Sequence, residues 1–482
     1  GWNIRYEFSS GDLDCALQTL RMFVLDAAAS GGGHQILSAT QEEGAECVPW
    51  RALRYMTGEI HYGGRVTDEN DRRLLGTMLE KCYDASVVSA PGGHAFGPDG
   101  SYAAPRTGDH AATLAALRAL PQHDPPEVFG LHASADIAFN LREGRLLLDT
   151  VLSIQPSAAG GGAGAGGSTK EQQVVAIAED ILRQLPARLE VDKASVTSNP
   201  FAALPSGHDN SLGVVLAQET LRYNGLLSTL STSLTELVCA MRGQVAMSAE
   251  LEAASNALCN NQVPDAWQRA AYPSLKPLAS WVANFRRRVD VLADWLYTGQ
   301  PAAFWLPGLF FPQGFLTAVL QNHARMSRTP IDRLAFCFDV LPRAADGAAA
   351  PAGGHGSRDS KDLPGSVTSG VIVTGLHLEG AGWDERTCAL APPRPRQMTA
   401  PLPPVHFRPE EVPAGGCTAG DSDGGMYACP LYKTSVRAGV LSTTGQSTNF
   451  VMHVQLPCAA GTDASTYVLS GVAALCALDG DE

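Results

Sequence analysis

Residues 218–245 read QETLRYNGLLSTLSTSLTELVCAMRGQV, and the spacing of their apolar side chains decides the architecture. Tyr223, Leu226, Leu230, Leu234, Leu237, Met241 and Val245 recur every three or four positions. That period lines one face of an α-helix, whereas a half-buried strand would alternate. The pattern predicts a single long helix over 211–258. Charges are scarce at the flanking positions that would set coiled-coil pairing, so a core helix of an all-α domain fits better.

Two neighbouring stretches carry the same period. Val174, Ile177, Ile181 and Leu185 predict a helix over 171–186, stopped by Pro186. Leu278, Val282, Phe285, Val289, Leu292 and Leu296 predict another over 275–298, ended by Gly299 and Pro301. Arg286, Arg287 and Arg288 read as a solvated or inter-domain face of that helix. Residues 295–324 carry no Asp, Glu, Lys or Arg, which on length alone would suit a membrane span. Gly299, Pro301, Pro307, Gly308, Pro312 and Gly314 forbid a continuous helix there. FWLPGLFFPQGFL at 304–316 is therefore a buried, turn-containing core segment.

Beyond 365 the period falls to two. Phe450, Met452, Val454 and Leu456 alternate with Asn449, Val451, His453 and Gln455. Val371 and Val373, and residues 466–478, also read as strands, with Thr444-Gly445 as a turn. The fold class expected is α+β: an all-α lid and helical domain followed by a small C-terminal antiparallel β-barrel. The Gly/Ala/Ser tract SAAGGGAGAGGST at 157–169, the 343–370 stretch and the Pro- then Gly-rich 391–420 read as linkers or surface insertions.

The 482 residues are enough for several domains with cores of their own. Only 17% are charged and 45% are apolar, which is the balance of a folded protein. The net charge of −14 argues against general neutralisation of nucleic-acid phosphates. None of the 11 cysteines forms a CxxC pair, so zinc-finger spacing is absent and reduced cytosolic thiols are expected. No HExxH occurs, and no Gly-Lys step exists on which a Walker A loop could be built. The sequence opens at Gly1, without an initiator methionine or a signal peptide, which predicts a piece of something longer.

Candidate sites are sparse. GQST at 445–448 fails the GxSxG nucleophile pattern because Asn449 stands where the second glycine belongs, so Ser447 reads as part of a turn. His132 and Asp136 are four apart, with no second ligand pair to make a metal site. GGRVTDENDRR at 63–73 is densely charged. Its residues suit a salt-bridged turn entering a helix, with Thr67 or Asp68 as N-cap. Arg65, Asp68, Asp71 and Arg72 are the candidates for contacts between domains. No catalytic, cofactor-binding or metal-binding constellation is complete.

Longer strings carry more information. GWNIRYEF at 1–8, TGEIHYGGRVTDENDRR at 57–73, PEVFGLHASADIAF at 126–139, QETLRYNGLL at 218–227 and AYPSLKPLASWV at 271–282 come first. FWLPGLFFPQGFLTAVLQNHAR at 304–325, GLHLEGAGWD at 375–384, CPLYKTSVRAGVLSTTGQSTNFV at 429–451 and GVAALCAL at 471–478 follow. In content and order these resemble the C-terminal end of dynein heavy chains, most closely the axonemal, inner-arm type. The resemblance implies that 1–90 are the end and helical lid of a sixth AAA+ module and 91–342 the helical part of the C-terminal domain. It further implies a linker at 343–364 and a terminal β-barrel at 365–482.

The same resemblance implies a regulatory or scaffold segment of an ATP-driven, minus-end-directed microtubule motor in cilia or flagella. No cofactor is expected in this segment; ATP and Mg would belong to upstream AAA+ modules. The partners implied are the rest of the AAA+ ring and, through the full complex, intermediate chains, light chains and microtubules, with neither nucleic acid nor membrane. The implied location is the cytoskeleton of the cytoplasm and the ciliary or flagellar axoneme. The alternative from another class is a stand-alone, non-catalytic protein-binding module built from a helical scaffold and a β-barrel.

Overall fold

The computed structural model describes residues 2–27, 48–89, 94–97, 100, 102–103, 110–129, 131, 134–154, 170–196, 198–342, 369–394, 397–412, 425–439 and 447–478. The protein forms two compact units. The first holds residues 1–159, 436–450 and 461–472; the second holds 160–435, 451–460 and 473–482.

The first unit contains α1 (Ser10–Ala27), α2 (Trp50–Tyr55), a π-helical turn (Met56–His61) and α3 (Glu69–Cys82). It continues with α4 (Ala85–Ser89), α5 (His110–Arg118) and α6 (Ser134–Ile154). Leu53, Val66, Leu74 and Leu75 form its buried centre. The short α13 (Ala464–Leu469), from far along the sequence, packs on α3 and contributes buried Tyr467 and Leu469. The alternation expected to make strands of 466–478 therefore yields a helix first and a strand only at Ala473–Leu475.

The second unit is built round α8 (Ser211–Met241), flanked by α7 (Lys170–Gln184), α9 (Ala249–Cys259), α10 (Asp265–Ala270), α11 (Leu278–Thr298) and α12 (Pro312–Ser327). The predicted leucine stripe is the core: Tyr223, Leu226, Leu230, Leu234 and Leu237 are each 0–1% exposed. The expected single helix over 211–258 breaks in two. Gly243 takes a left-handed φ of 74° just past the end of α8, and the Ser248 hydroxyl accepts from the Leu251 amide to start α9. Val245, the last member of the stripe, is 49% exposed in the connection.

Aromatic rings fill the contact of α11 with α8 and α10. Trp281 stacks on Phe285 at 5.6 Å and 3°, and on Tyr272 at 6.0 Å and 15°. Trp267 Nε1 donates to the Ser233 hydroxyl at 2.8 Å, which satisfies the one polar atom of a fully buried indole. Arg288 departs from the expected solvated face: it is 3% exposed, lies 3.6 Å over the Tyr272 ring and donates to Asn284. Arg287 covers the Trp305 ring at 4.3 Å. The aliphatic stem beneath the guanidinium lets such a residue pack like a hydrophobe, and the aromatic faces receive its charge.

The segment 304–316 is the turn-containing core piece expected: strand β1 (Phe304–Trp305), one tight helical turn, then α12 opening on Pro312. Among the described residues no helix is long and apolar enough to cross a membrane. The sheets differ from the expected antiparallel barrel. One orders β1, β3 (Val371–Thr374), β8 (Val405–Glu411) and β2 (Leu334–Val340). The other orders β10 (Phe450–Pro457), β9 (Met426–Tyr432), β11 (Ala473–Leu475), β4 (His377–Glu379) and β7 (Thr399–Pro401). The remaining pair is β5 (Gly382–Asp384) with β6 (Ala389–Ala391).

Both larger sheets are mixed, because β1 runs parallel to β3 and β11 parallel to β9. Among the described residues neither closes on itself. The physical reason is the tail's path: helix α13 precedes β11, so the last strand enters its sheet from a crossover, the route that allows a parallel neighbour. The 157–169 tract, nearly all of 343–370, the Thr444-Gly445 turn and His132 lie outside the described residues.

Candidate functional site

The charged turn at 63–73 folds into a hydrogen-bonded junction between the first residues of the sequence and the start of α3. Asp68 is the N-cap: its carboxylate accepts from the Asn70 amide at 3.0 Å and the Asp71 amide at 3.1 Å. It also accepts from Asn3 Nδ2 at 3.2 Å. Asp71, one turn into α3, takes the Asn3 amide at 2.7 Å, the Ile4 amide at 3.0 Å and the Tyr6 hydroxyl at 2.9 Å. The Asp68 amide in turn donates to the Tyr6 oxygen at 3.2 Å. Asp68 and Asp71 are each 1% exposed.

Burial pushes the Asp71 carboxyl up to about 6, against the Asn3 and Ile4 amides, which favour its anion; the neighbouring Asp68 charge adds to the rise. Tyr6 is raised as well, first by burial. Trp2 packs edge-on to Tyr6 at 5.6 Å, and Phe8 edge-on to Tyr62 at 5.1 Å, so apolar rings flank the polar junction.

The structure thus unites Asp68 and Asp71 and sends the two arginines elsewhere. Arg65 reaches Asp12 at 3.1 Å and the Glu7 carbonyl at 3.4 Å. Arg72 donates to the Val66 carbonyl at 3.2 Å and faces Glu59 at 3.7 Å. Asp12 itself accepts from the Ser9 amide and hydroxyl at the start of α1, and those bonds, ahead of Arg65, hold its carboxyl below the usual range. Arg65 and Arg72 thus find their acidic partners outside the turn, in Asp12 and Glu59.

Ser447 is 3% exposed and its hydroxyl donates to the Arg437 carbonyl at 3.0 Å while accepting the Asn449 amide at 3.1 Å. A hydroxyl so engaged ties a loop together and is no nucleophile. Asp136 lies in the first turn of α6. Among the described residues no group of three His, Cys, Asp or Glu is placed to hold a metal ion.

One polar centre escaped the sequence reading. Glu219 sits on the leucine stripe of α8 and is 1% exposed. Its carboxylate accepts the Phe310 amide at 2.6 Å, the Phe311 amide at 3.2 Å and Arg222 Nη1 at 3.0 Å. It therefore satisfies two backbone N–H groups just before α12, and burial raises its carboxyl above the ordinary glutamate value. Arg222 and Lys433 approach the Phe311 ring at 5.7 and 5.8 Å. The signal was available: Glu219 lies four residues before Tyr223 on the buried face, where a carboxylate needs dedicated donors.

These features define a protein in which a capped helical module is followed in the sequence by a larger helix-and-sheet module. Residues 1–135 match the AAA lid domain of dynein heavy chains, and residues 141–476 match the C-terminal domain of the same proteins. The protein belongs to the dynein heavy chain family. It is 39% identical over 483 residues to human dynein axonemal heavy chain 6, covering 99% of this sequence and 11% of that protein. Against mouse dynein axonemal heavy chain 1 the identity is 38%, over 99% of this sequence and 10% of that protein. Against human dynein axonemal heavy chain 12 it is 37%, over 99% and 14%. The 482 residues thus span between a tenth and a seventh of the length of these relatives.

Proposed function

We propose that these residues are the C-terminal regulatory and scaffold segment of an axonemal dynein heavy chain within an ATP-driven, minus-end-directed microtubule motor of cilia or flagella. One observation carries the reading: lid and C-terminal domain match in tandem, with 36–39% identity to axonemal heavy chains along 99% of the sequence. On this reading ATP and Mg bind other modules of the full protein. The segment rests on the AAA+ ring and reaches intermediate chains, light chains and microtubules only through the assembly. Its location is the axonemal cytoskeleton.

The finer division belongs to the same proposal: lid to about 90, helical part to 342, linker 343–364, and a terminal β-barrel section from 365, whose strands share a sheet with β1 and β2 from before the linker. Arg65, Asp68, Asp71 and Arg72 would act at the boundary between modules by fixing how residues 2–12 leave the lid. A scaffold of this kind needs no active site, because its effect is a coupling free energy between modules. Deleting 365–482 from the intact motor tests it. Velocity or processivity changes while nucleotide binding in the main site persists; unchanged motility refutes a regulatory role.

A further inference from the structure

Strand β2 is the outermost strand of its sheet and pairs with β8 over its full length, from Leu334 opposite Glu411 to Val340 opposite Val405, with no bulge. The ladder's phase is set at both ends, where the Leu341 amide donates to the Pro404 carbonyl and the Val412 amide to the Arg333 carbonyl, each at 2.8 Å. Odd-numbered residues of β2 therefore turn their backbone groups toward β8. Leu334, Phe336, Phe338 and Val340 turn theirs outward. Nothing among the described residues pairs with that outer edge.

LAFCFDV contains neither proline nor lysine, two of the usual protections of an edge. Phe336 and Phe338 both pack edge-on to Phe407, at 5.7 and 5.0 Å, yet remain partly exposed. On the opposite face the Cys337 thiol donates to Glu410 at 2.9 Å, and Asp339 takes Arg408 at 3.2 Å.

The strand also reads nearly the same in both directions about Cys337: leucine, small, Phe, Cys, Phe, polar, valine. We propose that the β2 edge pairs antiparallel with β2 of a second copy of this protein, about a two-fold axis at Cys337. In that register Phe336 meets Phe338 of the copy and Leu334 meets Val340, which are the hydrogen-bonded positions the free edge offers. Cys337 faces its own counterpart across a non-hydrogen-bonded pair, where side chains approach most closely. Asp339 falls opposite Ala335, within reach of Arg333 on the copy. Both are about half exposed and each already has a partner in its own copy, Asp339 with Arg408 and Arg333 with Glu411, so the contact extends these into two symmetry-related charge networks.

One strand pair is small beside the ~800 Å² per partner of a stable interface, so the association is weak. The net charge of −14 on each copy opposes it at low salt. The test is sedimentation equilibrium of the 482-residue chain in about 0.3 M salt, from roughly 10 to 500 μM, with copper-phenanthroline oxidation at the top concentration. The mass climbs from 50.7 kDa toward twice that value, and the tryptic map contains residues 334–343 disulfide-linked to themselves. Cys337→Ser keeps the mass increase and loses the link. Cys337→Lys, whose ammonium can pair with Glu410 in the monomer but faces a second ammonium across the axis, weakens association about tenfold or more.

A mass fixed at 50.7 kDa throughout overturns the proposal. So does a dimer indifferent to Cys337→Lys, or a Cys337 linked only to some other cysteine.

Discussion

Asp71 offers the sharpest handle on the lid, because its charge state is coupled to the segment it holds. The folded carboxyl is raised from 3.8 to about 6, chiefly by burial. A carboxyl whose folded value lies above its unfolded one binds its proton more tightly when folded, so stability is greatest below the unfolded value and falls as pH rises through the folded one. The gap is roughly two pH units at ~1.4 kcal/mol each, so opening of the 2–8 segment becomes easier by about 3 kcal/mol between pH 3.8 and pH 6.

Hydrogen exchange of the Asn3 and Ile4 amides reads that opening directly, since both bond to Asp71. After correction for intrinsic rates, their protection drops by about two orders of magnitude across this window and is flat above it. Asp71→Asn removes the slope. At neutral pH the variant also leaves the Ile4 amide facing an amide donor, which a protonated carboxyl would not do. An equal slope in wild type and variant would refute the reasoning, because the titration would then belong to another group.

Other substitutions probe the second unit and the helix start. Glu219→Gln turns one acceptor oxygen into a donor facing the Phe310 and Phe311 amides or Arg222, and costs about 2–3 kcal/mol in denaturant unfolding followed by tryptophan fluorescence. Leu230→Ala empties a fully buried site on α8 and costs about 3–4 kcal/mol by the same measurement. Gly375→Ala forces a Cβ into the Trp305 ring at a φ of 82°, and lowers the melting temperature of the second unit by several degrees in calorimetry. Asp68→Ala removes the α3 cap and loosens exchange protection at the Asn70 and Asp71 amides by about 1–2 kcal/mol.

The helical skeleton was legible because its cause is local. Leucines every three or four residues must share a face, and the stripe from Tyr223 to Leu237 is the core. The break after Met241 was hidden because Val245 keeps the period; the punctuation lay in Gly243 and Ser248 instead. Sheet order was beyond reach, since alternation in Phe450–Leu456 marks a strand without naming its neighbour. Parallel pairing of β11 with β9 depends on a distant crossover.

The charged turn was visible as a cluster, and Asp68 as its cap, but the burial of Asp71 was not. Its donors come from Asn3, Ile4 and Tyr6, more than sixty residues away. Arg288 was misplaced for the same reason, because the Tyr272 ring that receives it lies outside its own helix.

The proposed role is tested most directly by the size of the native polypeptide that contains this sequence. Antibodies against it, with peptide mapping of the captured band, should find a heavy chain roughly seven to ten times the 50.7 kDa of these residues, as their share of the relatives' length requires. A mature product of about 50 kDa with no larger parent would contradict the motor assignment.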